Sequence, residues 1–404
     1  MGQVRWNYAD IALCVAIVFG LGYWPTSSGA ADVELISQTV LQKVVDSDGT
    51  TTSVYDPDAV GNGPLCHIRL SGDIARGDLA RIRSAFMKIE SKDGQIGLCL
   101  NSKGGDFFEA MRISNALLGT DEETNKILDD VGMMLFTVIE PGAECLSSCA
   151  VIFMSGSTYD RESGFFGIAR YLHVLGKLGF RNPYLSDAVE RLFREERTEA
   201  NLRAVQNAYR FGATAVRRLA AMGTGVGSLL DRDRMPSHLL VQMLSMDPGQ
   251  VFRIDRAGMT IKYRISVFGI KAPARITACH LQSICENNFK FGPDLDAPEA
   301  TSSPDEPNRK KSCDDSEAWN QSDKWKLWTR SNRQEGPTYV VQGGYGAEGA
   351  ESCVIKFSSR DAPQIHYNTL IEPDDKGDFP TDGFSAPPPV FRYPPATRLE
   401  ELGR

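Results

Sequence analysis

The feature that most restricts the fold is an alternation between positions 64 and 275, where short apolar runs of strand character are followed by stretches with helical spacing. Cys66 to Leu70 reads as a strand, and Asp78 to Glu90 as a helix with Leu79, Ile82, Phe86 and Ile89 on one face. Ile96 to Leu100 is a second strand, followed by a helix carrying Phe107, Met111, Leu117 and Leu118. Met133 to Ile139 is a third strand, Ala150 to Met154 a short buried helix, and Val174 to Phe180 a fourth strand. Ser186 to Met222 is helical and rich in Arg and Glu, the composition of a solvated face. Pro236 opens a further helix through Met246, and strands at Gln250–Ile254 and Met259–Ile265 close the domain. Strands alternating with helices predict an α/β domain with a parallel sheet and crossover connections.

The flanks read differently. Arg5, the apolar run Ile11 to Leu21, the break at Pro25 and the small residues Ser28-Gly29-Ala30-Ala31 follow the order of a secretory signal peptide. Residues 1–30 are therefore expected to be a cleaved signal, with an uncleaved membrane anchor as the alternative. Of nine cysteines, Cys14 would leave with the signal, and an even set remains for disulfides in an oxidising compartment. Cys279 and Cys285, with Cys313 and Cys353, could staple the C-terminal part. Residues 31–63 read as a short polar segment and loop, 276–320 as a linker, 321–370 as a small β-rich unit, and 371–404 as a Pro-rich disordered tail. A net charge of −8 argues against nucleic acid as the main partner. There is no C-x-x-C pair and the histidines are scattered, so neither metal nor cofactor is expected.

Two turns concentrate the chemistry. Leu100-Asn101-Ser102-Lys103-Gly104-Gly105 joins a strand to a helix, and glycine there lets backbone N–H groups face a ligand. Gly142 to Ala150 contains Cys145-Leu146-Ser147-Ser148-Cys149. A serine at a strand-to-helix turn exposes its hydroxyl and directs its neighbour's N–H at the same point, the logic of a nucleophile elbow, although the G-x-S-x-G pattern itself is absent. The competing reading is that Ser147 and Ser148 only cap a helix.

Taken together, "GDI…LCLNSKGGDFFEAMRISNALL…GAECLSSCAVIFMSG" resembles the ClpP/crotonase superfamily, closest to exported bacterial ClpP-like proteins with a C-x-S-[AS]-C motif. The resemblance covers roughly residues 64 to 270. It implies a ClpP/crotonase-like parallel sheet, Ser147 as nucleophile, and an oxyanion hole from the N–H groups of Gly105 (or Gly104) and Ser148. It also implies a peptide or protein substrate, and a homo-oligomer built on 186–222.

The pattern breaks at the base. Where the family carries L-G-F-H-x-P, this chain has Leu178-Gly179-Phe180-Arg181-Asn182-Pro183, and an arginine cannot accept a proton at neutral pH. His173 is the substitute base and Asp247 the nearest third member, with Asp231, Asp233 and Asp255 as rivals. If 174–180 is one strand, His173 stands more than about 20 Å from its far end at roughly 3.3 Å per residue. The functional expectations are thus an exported serine hydrolase, or a catalytically silent relative that binds a peptide, with Arg181 pairing a carboxylate. A crotonase-type thioester enzyme is a third class, disfavoured because an exported chain rarely meets coenzyme A thioesters.

Overall fold

The computed structural model describes residues 30–36, 42–45, 51–54, 67–89, 95–117, 134–159, 166–182, 210, 212–220, 235–247, 249–271, 273, 276–291, 326–332, 336–345, 350–359, 362–368 and 388–403. The N-terminal apolar run, most of 186–222 and Asp231 and Asp233 lie outside them. Among the described residues no helix is long and apolar enough to cross a membrane.

In chain order the strands of the first two thirds are β1 (Asp32–Leu35), β2 (Gln42–Val45), β3 (Thr51–Val54), β4 (Ile68–Ser71), β5 (Gln95–Asn101), β6 (Met134–Ile139), β7 (Glu144–Leu146), β8 (Ser157–Tyr159), β9 (Phe166–Ile168), β10 (Arg170–His173), β11 (Lys177–Phe180), β12 (Phe252–Ile254) and β13 (Ser266–Phe268). The helices are α1 (Asp78–Phe86), α2 (Phe107–Leu117), α3 (Ser148–Phe153), α4 (212–220), α5 (Ser237–Leu244), α6 (Ala257–Lys262) and α7 (Ala278–Phe291). The fold is mixed α/β. Its main sheet has the order β1-β4-β5-β6-β10-β13, parallel throughout except for the antiparallel edge strand β1.

Burial on both faces explains the nearly continuous apolar runs of β5 and β6, whereas β4 and β10 alternate between buried and half-buried positions. Ile68, Leu70, Ile96, Leu98 and Leu100 join one core with Ile82, Phe86, Met111 and Ile152 from the helices. Cys99, Phe136, Val138, Ala169 and Phe268 form a smaller cluster of their own. A second sheet, β12-β11-β7, carries the elbow.

Several expectations need correction. The stretch 174–180 is not one strand: Gly176 N–H donates to the His173 carbonyl at 2.8 Å, turning the chain between β10 in the main sheet and β11 in the second. Met259–Ile265 is not a strand. Met259, Ile261, Tyr263 and Ile265 alternate in sequence, yet Ala257, Thr260 and Ile261 bury one face of a helix, and the strand follows at Ser266. The first part of the expected linker is α7. Residues 31–63 supply β1 and the β2–β3 hairpin.

The C-terminal region contains an antiparallel sheet, β14 (Lys326–Asn332), β15 (Gly336–Tyr345), β16 (Ala350–Ser359) and β17 (Ala362–Asn368). A disulfide ties Cys285 of α7 to Cys353 of β16. Cys99 and Cys279 also close disulfides. The end of the expected disordered tail is ordered. A 3-10 turn (Pro389–Arg392) and α8 (Leu399–Leu402) bury Val390, Phe391, Leu399 and Leu402 in the main core. Asn287 Nδ2 donates to the carbonyls of Phe391 (3.0 Å) and Tyr393 (2.9 Å), and Ala257 N–H to that of Thr397 (2.9 Å).

Candidate functional site

Ser147 sits between β7 and α3 with φ 56° and ψ −121°. A non-glycine residue in that region stores strain and persists only where its surroundings over-determine it. Three constraints do so here. Ser147 N–H donates to the Gly179 carbonyl of β11 at 2.9 Å, Ala150 N–H returns to the Ser147 carbonyl at 3.0 Å, and a disulfide joins Cys145 to Cys149 across the turn. Both cysteines are fully buried, while Ser147 is half-buried. Among the described residues the Ser147 hydroxyl has no hydrogen-bond partner.

The glycine turn lies directly over this serine. Both Gly104 (φ 116°) and Gly105 (φ 138°) have backbones that side chains resist. A Cβ on Gly104 would stand 2.9 Å from Ser147 Cβ and 3.4 Å from its Oγ, and one on Gly105 would stand 2.6 Å from the Ile74 nitrogen. Ser102 shapes the turn: its Oγ accepts from Gly104 N–H (3.1 Å) and donates to the Gly104 carbonyl (3.0 Å). Ile74 N–H donates to the same carbonyl at 2.8 Å. Ser148 Oγ donates to the Gly105 carbonyl at 2.9 Å, fastening the two turns to each other. Gly104 N–H is therefore already taken. The N–H groups of Gly105 and Ser148 have no partner among the described residues.

The other candidates go elsewhere. His173 Nδ1 accepts from Leu175 N–H at 3.0 Å, so its proton is on Nε2, which faces the Gly269 backbone. Its ring packs edge-on against Phe268 at 5.0 Å, and burial lowers its pKa. The ladder then separates it from the serine. Gly142 N–H donates to the Leu175 carbonyl, and Gly179 pairs with Leu146. About 13 Å of strand thus lies between the two levels at roughly 3.3 Å per residue, with His173 beyond one end and Ser147 beyond the other. The structure does not bring His173 to Ser147.

Asp247 is exposed in a turn closed by Gln250, whose Nε2 donates to Asp247 Oδ2 at 3.2 Å. It lies near Arg181 rather than His173, because Asn182 Nδ2 donates to the carbonyls of Leu244 (3.1 Å) and Met246 (3.3 Å). Arg181 is exposed at the end of β11 and makes no ion pair with a described residue. Asp255 is exposed at the end of β12, 3.8 Å from Arg256. Among the described residues no cluster of His, Cys, Asp or Glu could hold a metal ion.

Sequence reasoning missed Ser102 and the Cys145–Cys149 bond. The i, i+4 spacing of the two cysteines around Ser147 was the available signal for the bond. A serine two residues before the glycine carried none.

No family model matches the chain, and no curated protein matches it. Among solved structures, a ClpP1 mutant from Listeria monocytogenes is similar over 50% of this chain and 89% of its own, with 11% identity and a TM-score of 0.30. A similarity this remote says nothing of chemistry.

Proposed function

We propose that the Ser147 elbow is the acyl-accepting site of an exported ClpP-like serine hydrolase acting on peptides. One observation carries the reading: a strained serine sits beneath a side-chain-free turn, beside the N–H groups of Gly105 and Ser148, and among the described residues neither its hydroxyl nor those N–H groups has a hydrogen-bond partner. Ser147 Oγ would attack the acyl carbonyl, and the developing oxyanion would take those two N–H groups, worth about 3 kcal/mol each. The hydroxyl proton would pass to water, the C–N bond would break as the amine takes a proton from water, and a further water would hydrolyse the ester, releasing the acid and restoring the Ser147 hydroxyl. Disulfides at Cys145–Cys149 and Cys285–Cys353 support an oxidising compartment.

A second reading has its own support. Arg181 stands where the resemblance puts histidine, and no described residue hydrogen-bonds the Ser147 hydroxyl. On that reading the same site holds a peptide without turnover.

A fluorophosphonate probe followed by mass spectrometry separates the two. The hydrolase reading expects label on Ser147 and none in Ser147→Ala. It also expects a pH profile without a histidine plateau: labelling should keep climbing above pH ~7, since no imidazole of a described residue hydrogen-bonds the hydroxyl. Absence of label at every pH would leave the binding reading standing.

A further inference from the structure

The second sheet has one face that the core does not use. Cys145, Leu178, Phe180 and Ile254 point inward and are buried. The alternate positions point outward. Lys177 stands opposite Glu144, and Gly179 opposite Arg253. On the other side of β7, Ser102 bridges Cys145 on the buried face, so Lys103 takes the outward position.

This face is rich in cations, and most of them have no counterion among the described residues. Lys177 Nζ pairs with Glu144 at 2.6 Å. Lys103, Arg181 and Arg253 are exposed and make no ion pair with a described residue. Glu144 reports the field: its carboxyl is held below the usual range first by the hydrogen bond from Lys177, with the charges of Lys177, Lys103 and Arg253 adding to it. Among the described residues the nearby carboxylates besides Glu144 are Asp255, at the far end beside Arg256, and Asp247, near Arg181 and hydrogen-bonded by Gln250. In a chain of net charge −8 this is a local reversal of sign. Its middle is apolar, where Leu146 and Val251 close over Gly179 within 2.8 Å of where a Cβ would sit. It also leads into the elbow, because β7 runs from Glu144 straight to Ser147.

We infer that this face binds the acidic side chains of a peptide and so delivers acidic peptide substrates to Ser147. The word substrate rests on the acyl-transfer reading above; the binding does not. Charge complementarity selects the ligand, and an exposed cationic face should hold it in a strongly salt-dependent way.

The test uses the full chain carrying Ser147→Ala and fluorescein-labelled octaglutamate, read by fluorescence anisotropy. Binding is expected at low ionic strength, weakened about tenfold at ~0.15 M salt. The double variant Arg181→Glu, Arg253→Glu should weaken it by at least about tenfold. If that variant does not fold, Lys103→Gln with Arg253→Gln reads the same loss. Labelled octalysine should not bind. The inference is overturned if the charge variants bind octaglutamate as tightly as the parent, if octalysine binds equally, or if an oligothymidylate of the same length binds as well as the peptide. Because this protein lacks the Ser147 hydroxyl, the two readings fail separately. Binding without probe labelling of the parent sinks acyl transfer alone, and labelling without octaglutamate binding sinks the acidic-peptide inference alone.

Discussion

At the scale of single residues, the site is defined by what glycine leaves out. A methyl group on Gly104 would press on Ser147 Cβ at 2.9 Å and sit over its hydroxyl. Gly104→Ala is therefore expected to slow fluorophosphonate labelling of Ser147 about tenfold or more, while unfolding stays cooperative; labelling at the parent rate would show that the turn does not confine the serine. A separate residue governs the acid limb of stability. His238 stacks on Tyr263 at 5.1 Å, its Nε2 is buried without a hydrogen-bond partner among the described residues, and burial together with Lys262 pushes its pKa down to about 4. Unfolded, it would titrate near 6.5. Between those values the unfolded chain holds a proton that the folded chain does not. Stability from this group is thus complete above pH ~6.5 and falls as pH drops toward ~4. His173, lowered by burial, acts in the same direction. Urea midpoints measured from neutral to acid pH should decline in this window, and His238→Phe should flatten the decline. An unchanged slope in that variant would remove His238 as the cause.

At the scale of elements, Ser147 depends on the bond that brackets it. The Cys145–Cys149 disulfide ties β7 to the first turn of α3, and both cysteines are in the core. Replacing both cysteines by alanine should cost about 2–4 kcal/mol in urea. It should also cut probe labelling well beyond that of a variant destabilised equally elsewhere, such as Leu239→Ala in the buried face of α5. Equal labelling in the two variants would make the bond merely structural. The elements also show what a sequence can disclose. The strands Gln95–Asn101 and Met134–Ile139 are legible because burial on both faces leaves a nearly continuous apolar run, and Ile68–Ser71 because its buried and half-exposed residues alternate. The turns around Gly104 and Ser147 are legible because their chemistry is local. The segment at Met259 was not, because its apolar residues fit both periods and only packing against the C-terminal strap decides. The extent of the strand after His173 was misread for a related reason: whether 174–180 continues one strand or turns into another sheet depends on partners far away in sequence, β6 and β7. The outward cations on β11 and β12 read as ordinary surface until the ladder lines them up.

At the scale of the whole molecule, the C-terminus acts as a strap across elements that are distant in sequence. Leu399 N–H donates to the Asp255 carbonyl at 2.9 Å, Gly258 N–H to that of Pro395 at 2.8 Å, and Lys271 N–H to that of Leu402 at 2.9 Å. The first two bonds hold the start of α6, the helix that follows the β12 edge of the elbow's sheet, and the third holds the chain beyond β13. Pro-rich composition suggested disorder, but proline fixes φ, which lowers the cost of ordering a segment that otherwise has only a short helix and a 3-10 turn. Burying Val390, Phe391, Leu399 and Leu402 contributes about 1.5–3 kcal/mol each before that cost. Removing residues 388–404 should therefore leave a net deficit of roughly 3 kcal/mol, lowering Tm by about 6–12 °C. Since β12 pairs with β11, and β11 accepts the Ser147 N–H, the loss should also reach the elbow. Hydrogen exchange at the amides of β11 and β12 should accelerate in the truncated chain, while exchange in β5 stays slow. Unchanged Tm and exchange would show that the strap decorates a domain already complete without it.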